Sequence, residues 1–458
     1  MRTFETLIKG HIITAYGEIP NGYIAIDNGK VAHIGDISGG VPSAKEVEDF
    51  TGCYVMPAAI DAQTHSRSQA GQEDFIWSTR AAAAGGVATL VDMPYDAGRL
   101  ICNKERFELK KSEALAQTRV DFALYGTVHP EEGIRHIAEQ VEAGAIGFKF
   151  SAFGTDPERF PRIPPYLMYD CFTEIAKYGL VAGVHNEDDE TVKYLIEKVK
   201  SEGITDYRAH TLSRPIYSEN LAVSQVYEIG AMTNCRAHIV HCSNGRGYEI
   251  CNSYRQQGFN STIEACLHYL VLSEEEDVSR LVGRAKVNPP IRGKAEREAI
   301  WKHLAAGNVT VVSTDHVSWS LDKKMHENMF ANSSGAASLE VLVTLLVDGA
   351  IKRGVPLSRL AQVLAYNPAR LFSLQGQKGA LEIGCDADIT IVKRDPYIYK
   401  SSDSGHNFTD WSAYDGRTID YRIAATMVAG RWVFDGKNVL AEPGSGRFVR
   451  PSTLSKNA

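Results

Sequence analysis

Residues 58–65 read AAIDAQTH, an apolar entry that turns polar over its last three positions. Short apolar runs of this kind recur seven more times: VATLVDM (87–93), VDFALYGTV (120–128), AIGFKF (145–150), LVAGVHN (180–186), RAHIVHCS (236–243), NSTIEACLH (260–268) and VTVVSTDH (309–316). Their length and continuity suit strands buried on both faces. Between most of them lie helix-like segments such as EDFIWSTRAAAAGG (73–86), PEEGIRHIAEQVEAG (130–144) and GKAEREAIWKHLAAG (293–307), each closing on a glycine that suits a helix C-terminus. Eight β-to-α alternations predict an α/β fold, a (β/α)8 TIM barrel over residues 56–371. The alternative, a doubly wound open sheet, lacks the glycine-rich phosphate loop after its first strand.

The two chain ends have another texture. TLIKGHIITA (6–15) and GYIAIDNGKVAHIGD (22–36), with turn signals at Asn21-Gly22 and Asn28-Gly29, read as short strands. The same pattern returns in ADITIVKRD (387–395) and YRIAATMVAGRWVFDGKNV (421–439). These ends are predicted to meet in a small β-sandwich domain of residues 1–55 and 372–458.

Composition narrows the function classes. The 458 residues are 44% hydrophobic and 23% charged, with a net charge of −7, which argues against nucleic acid or an anionic membrane as the main partner. No stretch approaches the ~18 apolar residues of a membrane span, and MRTFETLIKG lacks the apolar core of a signal peptide. Eight scattered cysteines with no CxxC pair read as reduced, mostly buried thiols, so the expected location is the cytoplasm.

Polar residues fall where a barrel places its chemistry, at the C-terminal strand ends. The runs carry His65, Lys149, His185, His241, His268 and the pair Asp315-His316. A single histidine in a strand is more often a hydrogen-bonded core residue, and His11, His33, His136, His303 and His406 are read that way. His238 lies three residues before His241 and should face the other side of its strand. A ring of polar strand ends is harder to explain by packing. Lys149, inside IGFKF, is costly to bury unpaired. A buried salt bridge is one solution. The other is reaction with carbon dioxide to a carbamate, an anion whose two oxygens can bridge two divalent metals. His185 and His241 then serve as imidazole ligands and Asp315 as a carboxylate ligand for zinc-like ions. Metal lowers the pKa of bound water to about 7, and Asp315 can carry its proton to a leaving nitrogen. Amide hydrolysis is the reaction this suits.

The ordered motifs AAIDAQTH, IGFKF, VHNED, LSRP, IVHCSN, IEACLHYL, VNPPIR, VVSTDH, NPARLF and GALEIGCDADITI resemble those of the amidohydrolase superfamily, within its cyclic amidohydrolases: hydantoinase/dihydropyrimidinase, allantoinase and dihydroorotase. The likeness runs through nearly the whole chain. WSLDKK (319–324) and the tail GRWVFDGKNVLAEPGSGRFVRP (430–451) are most similar to hydantoinases, GFKF and FPRIPPYLMYD (160–170) to allantoinases. The resemblance implies that Lys149 is carboxylated and, with His185 and His241, holds one metal. His65 and Asp315 would hold the other. The family's first-strand motif is His-x-His, and its first histidine falls on Gln63. A neutral amide oxygen is a poorer ligand for zinc-like ions than imidazole. One firm divalent metal, zinc or alternatively manganese, and a second that is weak or absent are therefore expected.

Substrate-binding positions depart as well. Gly154 stands where hydantoinases carry a tyrosine, and Ser334 where the family has a substrate-contacting asparagine. Asn288, before Pro289-Pro290, is expected to face the substrate ring, and His268 to join the binding residues. Arg67 sits where dihydroorotases bind a substrate carboxylate; pairing with Glu73 or Asp74 is its structural alternative. The leading expectation is a metal-dependent hydrolase opening a cyclic amide, imide or ureide, a homotetramer by resemblance. A non-catalytic dihydropyrimidinase-like paralogue acting in assembly, and a metal-dependent deaminase or open-chain amidase, are the alternatives. Gln63 fits the paralogue; the retained Lys149, His185, His241 and Asp315 argue for the enzyme.

Overall fold

The computed structural model describes residues 3–69, 71 and 73–452. The extreme ends of the expected small domain, 1–2 and 453–458, lie outside the described residues. Four strands open the chain: β1 (Phe4–Thr14), β2 (Gly17–Asp27), β3 (Lys30–Asp36) and β4 (Ala44–Pro57). The barrel follows, with β5 (Ala59–Thr64) and β6 (Val87–Asp92), then a two-stranded ribbon of β7 (Tyr95–Asp96) and β8 (Arg99–Leu100). Its remaining strands are β9 (Asp121–Leu124), β10 (Gly147–Ser151), β11 (Val181–His185), β12 (Arg236–Ile239), β13 (Ser261–Cys266) and β14 (Val311–Ser313). Finally β15 (Ile389–Ile398), β16 (Thr418–Val428) and β17 (Arg431–Phe434) return to the first sheet.

Eight parallel strands form the barrel wall in two hydrogen-bonded arcs, β5-β6-β9 and β10-β11-β12-β13-β14. Parallel bridges join the arcs at both seams, Gly126 to Phe148 and Thr64 to His316. All eight apolar runs become wall strands. The wall is covered by helices, so its strands are buried on both faces and their sequences stay apolar throughout. In β10 the alternation is decisive. Phe148 and Phe150 are fully buried in the core shared with the helices, where Phe150 meets Phe172 at 6.0 Å between ring centroids. Each such ring contributes about 1.5–3 kcal/mol of burial. Lys149, between them, points to the other side of the wall.

The ends of the chain build one seven-stranded sheet in the order β17-β16-β15-β4-β1-β2-β3. It curls back on itself: Lys30, the first residue of β3, bridges to Asp386, just before β15. Ile8, Ile24 and Val31 share an apolar core with Ile389, Ile391 and Met427, giving the sandwich.

Three details differ from the sequence reading. The helix expected over 130–144 occupies only Ile137–Ala143, because Gly133 takes φ 59° and breaks the preceding turns. The last barrel strand stops at Ser313, since Asp315 leaves the ladder at φ 47°. The tail, expected with the small sheet, instead lies along the barrel: Phe122 N–H donates to Arg447 O at 2.9 Å and Val449 N–H to Phe122 O at 2.8 Å. All eight cysteines are free, and among the described residues no helix is long and apolar enough to cross a membrane.

Candidate active site

A cavity of about 550 Å³ opens at the C-terminal ends of the barrel strands. Gln63, His65, Lys149, His185, His241, Asn288, Asp315 and Ser334 all line it. The strands deliver them directly: Gln63 lies within β5 with His65 just beyond its end, Lys149 within β10, and His185 ends β11. His241 and Asp315 stand two residues past β12 and β14, with positive φ of 38° and 47°. Non-glycine residues held in that region cost about 1–3 kcal/mol each and cluster at functional sites.

The polar groups form a pair and a trio, with Lys149 as the remaining group. His185 Nδ1 faces His241 Nε2 at 2.9 Å. Across the mouth, Gln63 Nε2 donates to Asp315 Oδ1 at 2.6 Å, and His65 Nε2 lies 3.4 Å from the same oxygen. Lys149 Nζ makes one long donor contact, 3.4 Å to Phe150 O, lies 5.6 Å from the Tyr95 ring centroid, and has among the described residues no carboxylate within ion-pair distance. The buried salt bridge that would have explained it away is absent among them. Burial lowers its pKa to about 8, only partly offset by the charge of Asp315. Burial pushes the Asp315 carboxyl up, but hydrogen bonding to His65 and the electrostatic influence of the His65, His241 and His268 imidazoles hold it below the usual range. Burial also pulls His185 and His241 down, keeping both rings neutral.

Two residues outside the sequence reading fix His185. Its Nε2 meets Glu187 Oε2 at 2.8 Å, and Arg214 Nη1 donates to that oxygen at 2.5 Å. Burial raises the Glu187 carboxyl, yet Arg214 and His185 bring it well below the ordinary carboxylate range. A carboxylate on Nε2 leaves Nδ1 as the lone-pair nitrogen toward the cavity. The network continues inward: Arg292 donates to Glu219, to Ser243 Oγ and to Arg214 O. The signal for Glu187 was its place two residues after His185 in VHNED; Arg214 had none beyond its motif.

Two of the four expected binding residues come out differently. Arg67 is absent from the cavity lining; it binds Glu113, with Asp74 at 3.3 Å and Asp96 at 3.5 Å. Three carboxylates saturate its guanidinium, which corrects the substrate assignment. Glu73 is bonded instead to His316 at 2.7 Å. His268 is likewise outside the lining, buried without a hydrogen-bond partner on either ring nitrogen, and burial lowers its pKa to about 4. Asn288 and Ser334 do reach the cavity, joined by a 3.1 Å bond from Ser334 Oγ to Asn288 Oδ1. His238, by contrast, is bonded to Thr262 Oγ1 at 2.9 Å and lines nothing in the cavity.

Whether these residues suit a metal can be tested on their own chemistry. Among the described residues no three His, Cys, Asp or Glu side chains form a metal-binding group. Donors of those types occur here in twos, His185 with His241 and His65 with Asp315. Lys149 could add a donor to either half only as a carbamate. Gln63 Oε1 and His241 Nδ1 are also buried without hydrogen-bond partners. An acid-free buried lysine, two neutral imidazoles, a carboxylate and an orphaned amide oxygen fit a divalent cation better than they fit a closed hydrogen-bond network.

The amidohydrolase family model matches residues 54–433. An allantoinase of Rubrobacter xylanophilus is 35% identical, covering 98% of both chains, and an allantoinase of Bacillus velezensis is 32% identical, covering 99% of both. Among solved structures, an L-hydantoinase (dihydropyrimidinase) from Arthrobacter aurescens superposes with a TM-score of 0.93 at 28% identity, over 98% of this chain and 100% of that one. Barrel, curled end sheet and strand-end cavity accord with these matches, and the chain belongs to the amidohydrolase family.

Proposed function

We propose that this protein is a metal-dependent hydrolase that opens a cyclic ureide or imide at a C–N bond. The observation that carries the reading is Lys149: buried, without an acid partner, and set in the cavity with two imidazoles and a carboxylate. Its lowered pKa, about 8, leaves a usable fraction of neutral amine near physiological pH, the form that reacts with carbon dioxide. Lys149 as the carbamate, His185 and His241 would hold one divalent metal firmly. His65 and Asp315, with Gln63 in place of an imidazole, would hold a second weakly. Metal in that position supplies a Lewis acid and water activated near neutral pH.

The chain's own groups supply the rest. Asp315 is ionised and held on Oδ1 by Gln63 and His65. It takes the proton of the attacking water and passes it to the leaving ring nitrogen. Glu187 and Arg214 keep the His185 ring oriented. Asn288 and Ser334 offer polar groups to the ring amide from the opposite wall. Relatives named allantoinase and L-hydantoinase support a cyclic ureide as substrate.

The test is ring opening of allantoin and hydantoin by protein prepared with zinc or manganese and bicarbonate. Hydrolysis of at least one, reduced by roughly three orders of magnitude or more in His185→Ala, is the expected result. Equal activity in the two proteins would contradict the assignment.

A further inference from the structure

Arg67 is spent on three carboxylates, so any planar acceptor on the substrate must find another guanidinium. The cavity holds one. Arg159 lies in the turn Thr155–Phe160, whose ends are tied by Phe160 N–H to Asp156 O at 2.8 Å and Thr155 N–H to Phe160 O at 3.2 Å. Asp156 closes the turn from within, accepting from the backbone N–H of both Glu158 and Arg159 at 2.9 Å. The side chain is fixed as well. Its Nε donates to Tyr95 O at 3.0 Å, and its guanidinium carbon lies 4.8 Å from the Phe160 ring centroid. Phe160 packs 4.4 Å from Tyr95, and Tyr95 stacks on His65 at 6.3 Å. Phe160 also lies 6.3 Å from the His65 ring, so Arg159 is anchored to the wall that carries a candidate metal ligand, one aromatic ring away from it.

What it lacks is a partner for its outer edge. Among the described residues, no carboxylate lies within ion-pair distance of Arg159 and no acceptor engages its terminal nitrogens. The other cations of the cavity, Lys149 apart, are engaged. Arg214 is held by Glu187, Lys286 donates to three backbone carbonyls, and Lys200 is bonded to Glu197 at 2.9 Å. A stacked guanidinium with its two-nitrogen edge free presents a fork that matches two coplanar oxygens, or a single carbonyl oxygen bonded twice.

We propose that Arg159 is a specificity-determining residue that binds a carboxylate or carbonyl oxygen on the exocyclic substituent of the substrate ring. The inference rests on the cyclic-amide reading above and deepens it: ring opening defines the reaction, and Arg159 selects which rings enter. A substrate with an apolar substituent would leave this fork unsatisfied in a half-closed cavity, a penalty that disfavours it.

The experiment compares wild type with Arg159→Met and Arg159→Lys on hydantoin, 5-benzylhydantoin, hydantoin-5-acetate and 5-ureidohydantoin. The readout is the ratio of kcat/KM for each substituted ring to that for hydantoin. For Arg159→Met the ratio is expected to fall roughly 10- to 100-fold for the acetate, the ureido compound or both, carried mainly by KM, and not for the benzyl compound. A fall for the acetate alone, with partial recovery in Arg159→Lys, identifies a carboxylate; a fall for the ureido compound identifies a carbonyl. Ratios that are unchanged, or that fall equally for the benzyl compound, overturn the proposal. If wild type opens none of the four rings, the cyclic-amide reading fails. Calorimetric binding of the same panel then decides Arg159 separately, since equal affinities in wild type and Arg159→Met would overturn its role.

Discussion

As a free amine, Lys149 is a liability to the folded chain. A pKa lowered from 10.5 to about 8 corresponds to about 3 kcal/mol of differential cost for the buried ammonium. That cost is full below the folded value and fades as pH rises toward the unfolded one, where both states are neutral. Lys149→Met should therefore stabilise the metal-free protein by roughly 1–3 kcal/mol at pH 7, with a gain shrinking above pH ~8, while removing metal binding. Urea denaturation of the two metal-free proteins across pH 7–10 checks the sign; a less stable Met variant at pH 7 would show that the lysine has a partner. At this scale the sequence was informative wherever period-two alternation applied. Between Phe148 and Phe150, Lys149 could only face inward. It was uninformative where partners are remote: Glu113, which takes Arg67, is far along the chain and carries no local mark.

The loop from Leu321 to Gly335 shows how an element places a cavity wall. Lys324 is buried and donates from Nζ to Lys286 O, Ser333 O and Gly335 O at 2.7–2.9 Å. Lys286 donates in turn to Met329 O, Phe330 O and Asn332 O. Six backbone carbonyls accept from two lysine side chains, and the loop they hold carries Ser333, Ser334 and Gly335 into the cavity. Lys324→Met leaves Ser333 O and Gly335 O short of a donor, while Lys286 O keeps the Gly335 N–H at 2.9 Å. It should lower stability by roughly 1–3 kcal/mol and raise KM more than it lowers kcat, because the loop forms the binding wall and not the proton path. Steady-state kinetics with thermal unfolding test both; a pure kcat effect would contradict a wall role. Strands were legible in outline because burial on both faces keeps them apolar. Their ends were not. His241 and Asp315 leave the ladder at positive φ, and nothing in a non-glycine residue announces that conformation. The two lysines were equally hidden, since exposed lysines have the same letter.

Across the whole molecule, barrel, curled sheet and tail meet at a buried ionic seam. Lys378, fully buried, lies 2.8 Å from Asp121, 2.7 Å from Asp388 and 3.3 Å from Asp386, and Arg447 of the tail pairs with Asp121 and Asp386 at 2.6 Å. Burial raises Asp121 and Asp386, but Lys378 and Arg447 hold both below the usual carboxylate range. Carboxyls lowered in this way add stability above their unfolded value, near pH 4, and lose it as pH falls through the folded one. Acid should therefore free the tail first. Hydrogen exchange at Gly446–Val449 is expected to accelerate below pH ~4, and Arg447→Ala should produce the same acceleration at pH 7. Protection unchanged by either would mean that the backbone pairing with Phe122 suffices. The two-body architecture was readable from the contrast between chain ends and middle, but the course of the tail was not, because its partners at 121, 378 and 386 are joined only by the fold. The central claim concerns the cavity, and metal content tests it most directly. Elemental analysis of protein prepared with zinc or manganese and bicarbonate should find close to one firmly held equivalent per chain, rising toward two in Gln63→His and absent in Lys149→Met. Protein that stays metal-free and inert after that treatment would contradict the account.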